Sequence, residues 1–193
     1  MSSSKVKIIN VENLSHDYYK LDKVKFDYQT KNGKWQHQSR ECYDRGDGAA
    51  ILLYNPSKKT VILTKQFRMP SYLNDNNDGM MIEVCAGLLD KNDPVTCIIK
   101  EAEEETGYKI NNVKKVFEIF STPGAVTEKI YYFIAEYNDT MKVSEGGGLE
   151  EETEEIEVLE IDFNKAIEMI STGEICDAKT IILLQYAQIH KLL

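Results

Sequence analysis

Histidine and cysteine are scarce in this chain. The three histidines (His16, His37, His190) lie far apart with no evident partner set, so surface or structural roles are expected for all three. The four cysteines (Cys42, Cys85, Cys97, Cys176) are widely spaced and contain no Cys-x-x-Cys pair. They make a poor zinc site and a poor disulfide framework, and reduced thiols in a cytoplasmic compartment are expected. Positive charge is also in short supply: 23 Lys and Arg against 32 Asp and Glu leave a net charge of −9. That balance argues against a nucleic-acid partner. An acidic protein that handles a phosphate needs a metal or a local basic patch to bring it in. No apolar run approaches the ~20 residues of a membrane span. The opening Met1-Ser-Ser-Ser-Lys-Val-Lys-Ile lacks the apolar core of a signal peptide. No membrane association is expected. Internal repeats and low-complexity linkers are missing too. With 193 residues, 42% of them hydrophobic, the chain fits one domain, or one domain plus a small appendage, around a sizeable core.

Extended structure is expected up to about Asp44. Lys23–Gln29 alternates polar and apolar, and Asn32-Gly33 marks a hairpin turn before Trp35. A sheet this thin is marginal alone and must pack on something, such as a second subunit. Beyond Arg45-Gly46-Asp47-Gly48, two apolar runs, Ala49–Tyr54 and Thr60–Phe67, flank the turn Asn55-Pro-Ser-Lys-Lys and read as a buried hairpin. Residues 71–80 read as a polar loop, Met81–Ala86 as a short strand, and Pro94–Thr106 as a helix. Asp93 is its N-cap, Pro94 opens its first turn, and Gly107 stops it. Val113–Ser121, Lys129–Tyr137 and Glu155–Phe163 have strand periodicity. Asn164 is the expected cap of a helix reaching Thr172. A last helix starts near Ala178, with Ile182, Tyr186, Ile189 and Leu193 on one face. Strands mixed with three helices point to an α/β or α+β domain, helices packed on a mixed sheet.

What the chain has in excess is carboxylate, and it is concentrated in Glu101-Ala-Glu103-Glu104-Glu105. A helix turns about 100° per residue, so Glu101 and Glu105 stack and Glu104 flanks both. Like charges at this spacing destabilise a bare helix, and its C-terminal end disfavours anions. A bound cation would offset both effects. Oxygen-only ligands favour Mg²⁺ or Mn²⁺ over zinc. The residues alone leave two readings open, a solvated acidic face and a cation site.

Spacing adds to this. Gly87–Tyr108 resembles the Nudix box, G-x5-E-x7-R-E-U-x-E-E-x-G-U, with Glu101, Ala102, Glu104, Glu105, Gly107 and Tyr108 in register with its second half. Lys100 stands where the box has arginine, a point charge in place of a rigid fork. The first acidic position is Asp93, and the interval from it to Lys100 is one residue short. Further matches are Arg40–Ala49, Lys65-Gln-Phe-Arg68, Glu83–Asp90, Ser121–Glu128 and Gly173–Thr180. Together they resemble the ADP-ribose pyrophosphatase branch of Nudix hydrolases, and within it the members that cleave GDP-mannose.

The resemblance implies a Nudix α/β/α sandwich on a mixed sheet, residues 45–193, with an N-terminal antiparallel β subdomain, residues 1–44, that exchanges across a homodimer. It implies Mg²⁺-dependent hydrolysis of the diphosphate bond of a nucleotide sugar, GDP-mannose giving GMP and mannose 1-phosphate. ADP-ribose or another ADP-sugar is the alternative substrate. A nucleotide-sugar-binding regulator of weak activity is the alternative role. By resemblance the metal is held by Glu101, Glu105 and the carbonyl of Ala86. Glu104 is a second or water-mediated ligand. A loop glutamate, Glu154 by its place before Ile156, with Glu151 and Glu152 as alternatives, is ligand or base. Arg40, Arg68, Ala86, Gly87, Leu88, Glu105, Glu128 and Lys179 meet the substrate. Tyr18 and Ser39-Arg40-Glu41 meet the nucleoside, from the partner subunit.

Overall fold

The fold is that of a computed structural model, which describes residues 5–89, 92–149 and 155–193. It divides into two compact units. One comprises Met1–Asp47 and Phe120–Ile130, the other Gly48–Ile119 and Tyr131–Leu193.

The first unit is a three-stranded antiparallel sheet in the order β1 (Val6–His16), β2 (Lys20–Gln29), β3 (Trp35–Asp44). The β2–β3 register runs unbroken from Lys20 opposite Asp44 to Gln29 opposite Trp35, across the expected Asn32-Gly33 turn. β1 pairs with β2 less regularly, with register shifts between Ile8 and Asn10 and between Asn13 and Ser15. Tyr43 exchanges backbone hydrogen bonds with Ala125 and Thr127, which joins residues 120–130 to this unit. Every residue of β1 is exposed, and its Val6, Ile8, Ile9, Val11 and Leu14 show 42–60% of their surface.

The second unit holds a seven-stranded sheet. Its centre is the expected hairpin, β4 (Gly48–Asn55) and β5 (Thr60–Phe67). These strands pair with each other only next to their turn, Leu53–Asn55 against Thr60–Ile62. Beyond that they part, and one segment fills the gap by changing partners. β6 (Met80–Glu83) pairs with β5, then β7 (Cys85–Leu88) pairs with β4. The single strand expected over Met81–Ala86 is therefore two, broken at Val84. Glu83 is the one charged residue in the run Met80–Leu88 and marks no break by itself, so only the change of partner reveals it. β8 (Lys114–Phe120), β9 (Lys129–Glu136) and β10 (Glu157–Asp162) complete the sheet, in the order β10-β5-β4-β9-β8.

β4 is buried along its whole length, as a strand covered on both faces must be. Ala49, Ile51 and Leu53 join a core with Cys97, Ile98 and Ala102 of α2 (Pro94–Thr106). The opposite face of β4 meets α4 (Ala178–Ile189), which buries Leu183, Leu184 and Ala187 and also packs on α3 (Phe163–Thr172). Helices on both faces of the sheet make the α/β/α sandwich that the resemblance implied. Each fully buried Ile or Leu of β4 contributes about 1.5–3 kcal/mol.

Three local expectations need correction. The cap of α3 is Asp162, not Asn164: its Oδ1 accepts the Lys165 N–H at 3.0 Å, and Phe163 is already buried in the first turn. The buried face of α4 is Thr180, Leu183, Leu184 and Ala187, whereas Ile189 is 74% exposed. This helix is apolar nearly all round, so periodicity cannot choose its face. The loop expected over 71–80 begins inside a short helix, α1 (Met69–Tyr72). Among the described residues, no helix is long and apolar enough to cross a membrane.

Candidate active site

Helix α2 is held at both ends by the residues read as its signals. The Asp93 carboxylate accepts the N–H groups of Val95 and Thr96, both at 3.1 Å, and hydrogen bonding, first from the Thr96 side chain and then from these N–H groups, holds its pKa below the usual carboxylate value. In this box the first acidic position is thus committed to capping. Gly107 ends the helix at φ 77°, donating its N–H to the Glu103 carbonyl. The glycines at 147 and 148 donate to the next carbonyls, Gly147 to Glu105 at 2.9 Å and Gly148 to Glu104 at 3.2 Å. The last turn of α2, which carries most of the charge, is thereby tied to the loop that follows Ser144.

The four glutamates divide into two pairs. Glu104 takes the Lys100 ammonium at 2.8 Å, so the lysine in the arginine position of the box pairs one turn along its own helix. Glu103 lies 3.7 Å from Lys109. Glu101 and Glu105 point the other way, at β7. Glu105 is 2% exposed, and its Oε2 accepts the Ala86 N–H at 3.3 Å. The Glu101 carboxyl lies over Gly87, where a Cβ would fall inside it. The neighbouring Cys85 is completely buried; that burial, and next the charge of Glu105, push its thiol pKa well up. Leu88, at the end of β7, accepts the Cys97 thiol on its carbonyl at 3.3 Å.

Two carboxylates set on one strand of backbone form an oxygen-rich place for a hard divalent cation. The glycine is needed there because no side chain leaves room for Glu101. This donor set fits the implied metal, with Glu101, Glu105 and the Ala86 main chain as candidate holders. Among the described residues, no three His, Cys, Asp or Glu side chains converge as a cage by themselves. Glu104 is turned to Lys100, and Glu151, Glu152 and Glu154 lie outside the described residues.

Beside these, the unit gathers two candidate cations around a carboxylate that sequence reasoning did not single out. Glu83, at the end of β6, is 4% exposed. Its Oε2 accepts Arg68 Nε at 3.0 Å and Nη2 at 2.6 Å, and its Oε1 lies 3.7 Å from Lys179 Nζ. Asp177, the N-cap of α4, takes Lys179 at 2.7 Å on Oδ1 and bonds the Thr180 N–H and hydroxyl through Oδ2. Thr180 Oγ1 in turn accepts the Val84 N–H at 2.7 Å. Burial works to lower the Arg68 pKa, but Glu83 first, then Glu105 and Asp177, outweigh it and raise the value. The signal available in the sequence was indirect: two cations held in a fold need counter-anions, and Asp177 precedes a helix.

In the first unit the candidates are spread out. Tyr18, 83% exposed, stands edge-on to Tyr19 at 4.7 Å. Tyr19 continues to Tyr43, and the Arg45 guanidinium sits 5.6 Å from its ring. Ser39, Arg40 and Glu41 lie opposite Lys25, Val24 and Lys23 in the sheet. Arg40 folds along its own strand, onto the Ser39 carbonyl at 2.7 Å and Gln38 Oε1 at 3.1 Å. Glu128 is nearly buried and faces Arg45 at 3.4 Å.

Comparison with known proteins places the chain in a family. Residues 5–43 match the model described as the GDP-mannose pyrophosphatase NudK N-terminal domain, and residues 44–180 match that of the NUDIX domain. Proteins named GDP-mannose pyrophosphatase are similar over 99% of both chains. The one from Salmonella typhimurium is 51% identical, that from Enterobacter sp. (strain 638) 52%, and that from Escherichia coli O1:K1 49%. With its box helix, its glycine-backed carboxylates and a family match covering most of its length, the chain belongs to the Nudix hydrolases.

Proposed function

We propose that this protein hydrolyses the diphosphate bond of a nucleotide sugar with the help of Mg²⁺ or, in its place, Mn²⁺, and that its substrate is GDP-mannose, released as GMP and mannose 1-phosphate. Nudix hydrolases generally use divalent metals. The observation that carries the reading is the approach of Glu101 and Glu105 to the backbone of Ala86 and Gly87, in the same unit as the Arg68–Glu83–Lys179 group. The substrate follows the names of relatives near 50% identity.

A metal bound here would neutralise phosphoryl oxygens and make a water acidic enough to attack. The chain's own part is to hold charge in place. The Ala86 N–H orients Glu105, the absence of a side chain at 87 seats Glu101, and Lys100 keeps Glu104 turned along the helix. Arg68 and Lys179 are proposed to meet phosphate, with Gly87 and Leu88 of β7 beside it. Glu154 enters on the resemblance alone, as ligand or base. Residues 1–44 are proposed as a β subdomain that pairs two copies of the chain and brings Tyr18 and Ser39-Arg40-Glu41 to the partner's nucleoside. Arg45 orients Glu128 for its substrate contact. Residues 45–193 are the Nudix domain. A cytoplasmic location fits four cysteines that all stand as free thiols.

The test is release of phosphatase-sensitive product from a panel of nucleotide sugars, with and without Mg²⁺. GDP-mannose should turn over fastest, and chelation should stop it. Preference for ADP-ribose would change the substrate. Tight binding without turnover would make the protein a regulator.

A further inference from the structure

We propose that Glu83 is a positioning residue for phosphate recognition, a buried carboxylate that holds Arg68 and Lys179 side by side so that both present their remaining donors to one substrate. The inference rests on the hydrolase reading above.

A carboxylate that is 4% exposed is costly unless it is fully paired. Glu83 is paired, but asymmetrically. One oxygen takes the Nε–Nη2 edge of Arg68, at 3.0 and 2.6 Å, along with Gln66 Nε2 at 3.4 Å, while the other faces Lys179 at 3.7 Å. Guanidinium carries five N–H donors, and this contact uses two. Among the described residues no second acceptor is bonded to the Arg68 guanidinium, and the side chain keeps 41% of its surface exposed. An arginine held by one edge and open on the other is set for a bidentate anion contact.

Lys179 is placed as deliberately, from an element far away in sequence. The residue after Glu83 is bonded to the residue after Lys179: the Val84 N–H donates to Thr180 Oγ1 at 2.7 Å. The first turn of α4 is therefore pinned to the end of β6. Asp177 then fixes the ammonium at 2.7 Å. Arg68 and Lys179 are balanced by Glu83 and Asp177, so the four groups sum to zero charge and two cations can stand together before any anion arrives. A stabilising core has no need of such a group, because apolar residues of equal volume serve as well or better. Holding two cations in register for an incoming diphosphate does need it.

The test is a mutant cycle on turnover of the nucleotide sugar with Mg²⁺. In the wild-type background, Glu83→Gln should raise KM roughly 10-fold or more. kcat should fall less, since the cations grip phosphate in ground and transition states alike. In an Arg68→Met/Lys179→Met background, the same substitution should change kcat/KM by less than about twofold, because a residue acting only through those side chains has nothing left to position. Equal losses in both backgrounds, or an unchanged KM in the first, would overturn the proposal. Should Glu83→Gln fail to fold, Glu83→Asp runs the same cycle: it keeps the charge but shortens the reach to Arg68 and Lys179, and additive losses count against the proposal. Wild-type protein that hydrolyses no nucleotide sugar would sink the hydrolase reading and this one together. An active wild type with an additive cycle would sink this one alone.

Discussion

Individual residues decide which of the many carboxylates matter. Four glutamates share the last two turns of α2, and their differences come from what each one meets: Glu104 and Glu103 have lysines, Glu101 a glycine, Glu105 a backbone N–H. Two substitutions separate site from scaffold. Glu105→Gln keeps the volume and the Ala86 contact but removes the charge. It should lower kcat by roughly 10²-fold or more, in line with removal of a fixed charge from a dry active site. The melting temperature should hardly move. Gly87→Ala places a methyl group where the Glu101 carboxyl now lies. That carboxyl is the end of a flexible side chain and can swing aside, so the fold should survive while turnover and Mn²⁺ affinity fall together. Mn²⁺ binding followed by EPR, beside a thermal melt, reads both effects. Undiminished Mn²⁺ binding by both variants would remove Glu101 and Glu105 from the site.

At the scale of elements, what matters is how α2 is ended and how β6 and β7 are inserted. The expected span of α2, Pro94–Thr106, agrees with the structure because its signals are local and chemical, a carboxylate at one end and a left-handed glycine at the other. Two glycines test this point. Gly107 and Gly173 both stop helices at positive φ, 77° and 84°. A methyl group at 173 meets open space, whereas one at 107 runs into the Ser144 carbonyl. Gly173→Ala should cost about 1 kcal/mol for the left-handed backbone alone. Gly107→Ala should cost more, about 2–4 kcal/mol, and should also depress turnover, because the strain falls on the turn that carries Glu104 and Glu105. Urea denaturation of both variants measures the difference, and equal losses would mean that the Ser144 contact is slack. β6 and β7 had no comparable signal. Val84 looks like any strand residue, and its role as the break exists only because β4 and β5 have already parted.

For the whole molecule, the exposed strand β1 is the feature that asks for a partner. A long edge strand with five apolar side chains in water invites pairing, and soluble proteins usually blunt such edges. A second copy of this chain is the proposed occupant. Light scattering should therefore give about twice the 22.1 kDa of one chain. The double substitution Ile8→Lys/Val11→Lys should return it to the monomer mass and raise KM, by withdrawing the partner's Tyr18 and Ser39–Glu41. A fully active monomer would exclude a site completed by the partner.

The sequence by itself determined whatever depends on neighbours along the chain. The two hairpins, the caps of α2 and the spacing that stacks Glu101 on Glu105 are all matters of one to four residues, where turn chemistry and helical pitch leave little choice. The match to the Nudix box is legible for the same reason. Tertiary structure decided the rest. It chose the face of α4, because a helix whose apolar residues lie on all its sides contains no preference of its own. It set Glu101 against Gly87, and it brought Arg68 and Lys179 onto Glu83 from positions more than a hundred residues apart. Such meetings are products of sheet order and helix packing, and a carboxylate carries no mark of which distant cation it will hold until the chain between them has folded.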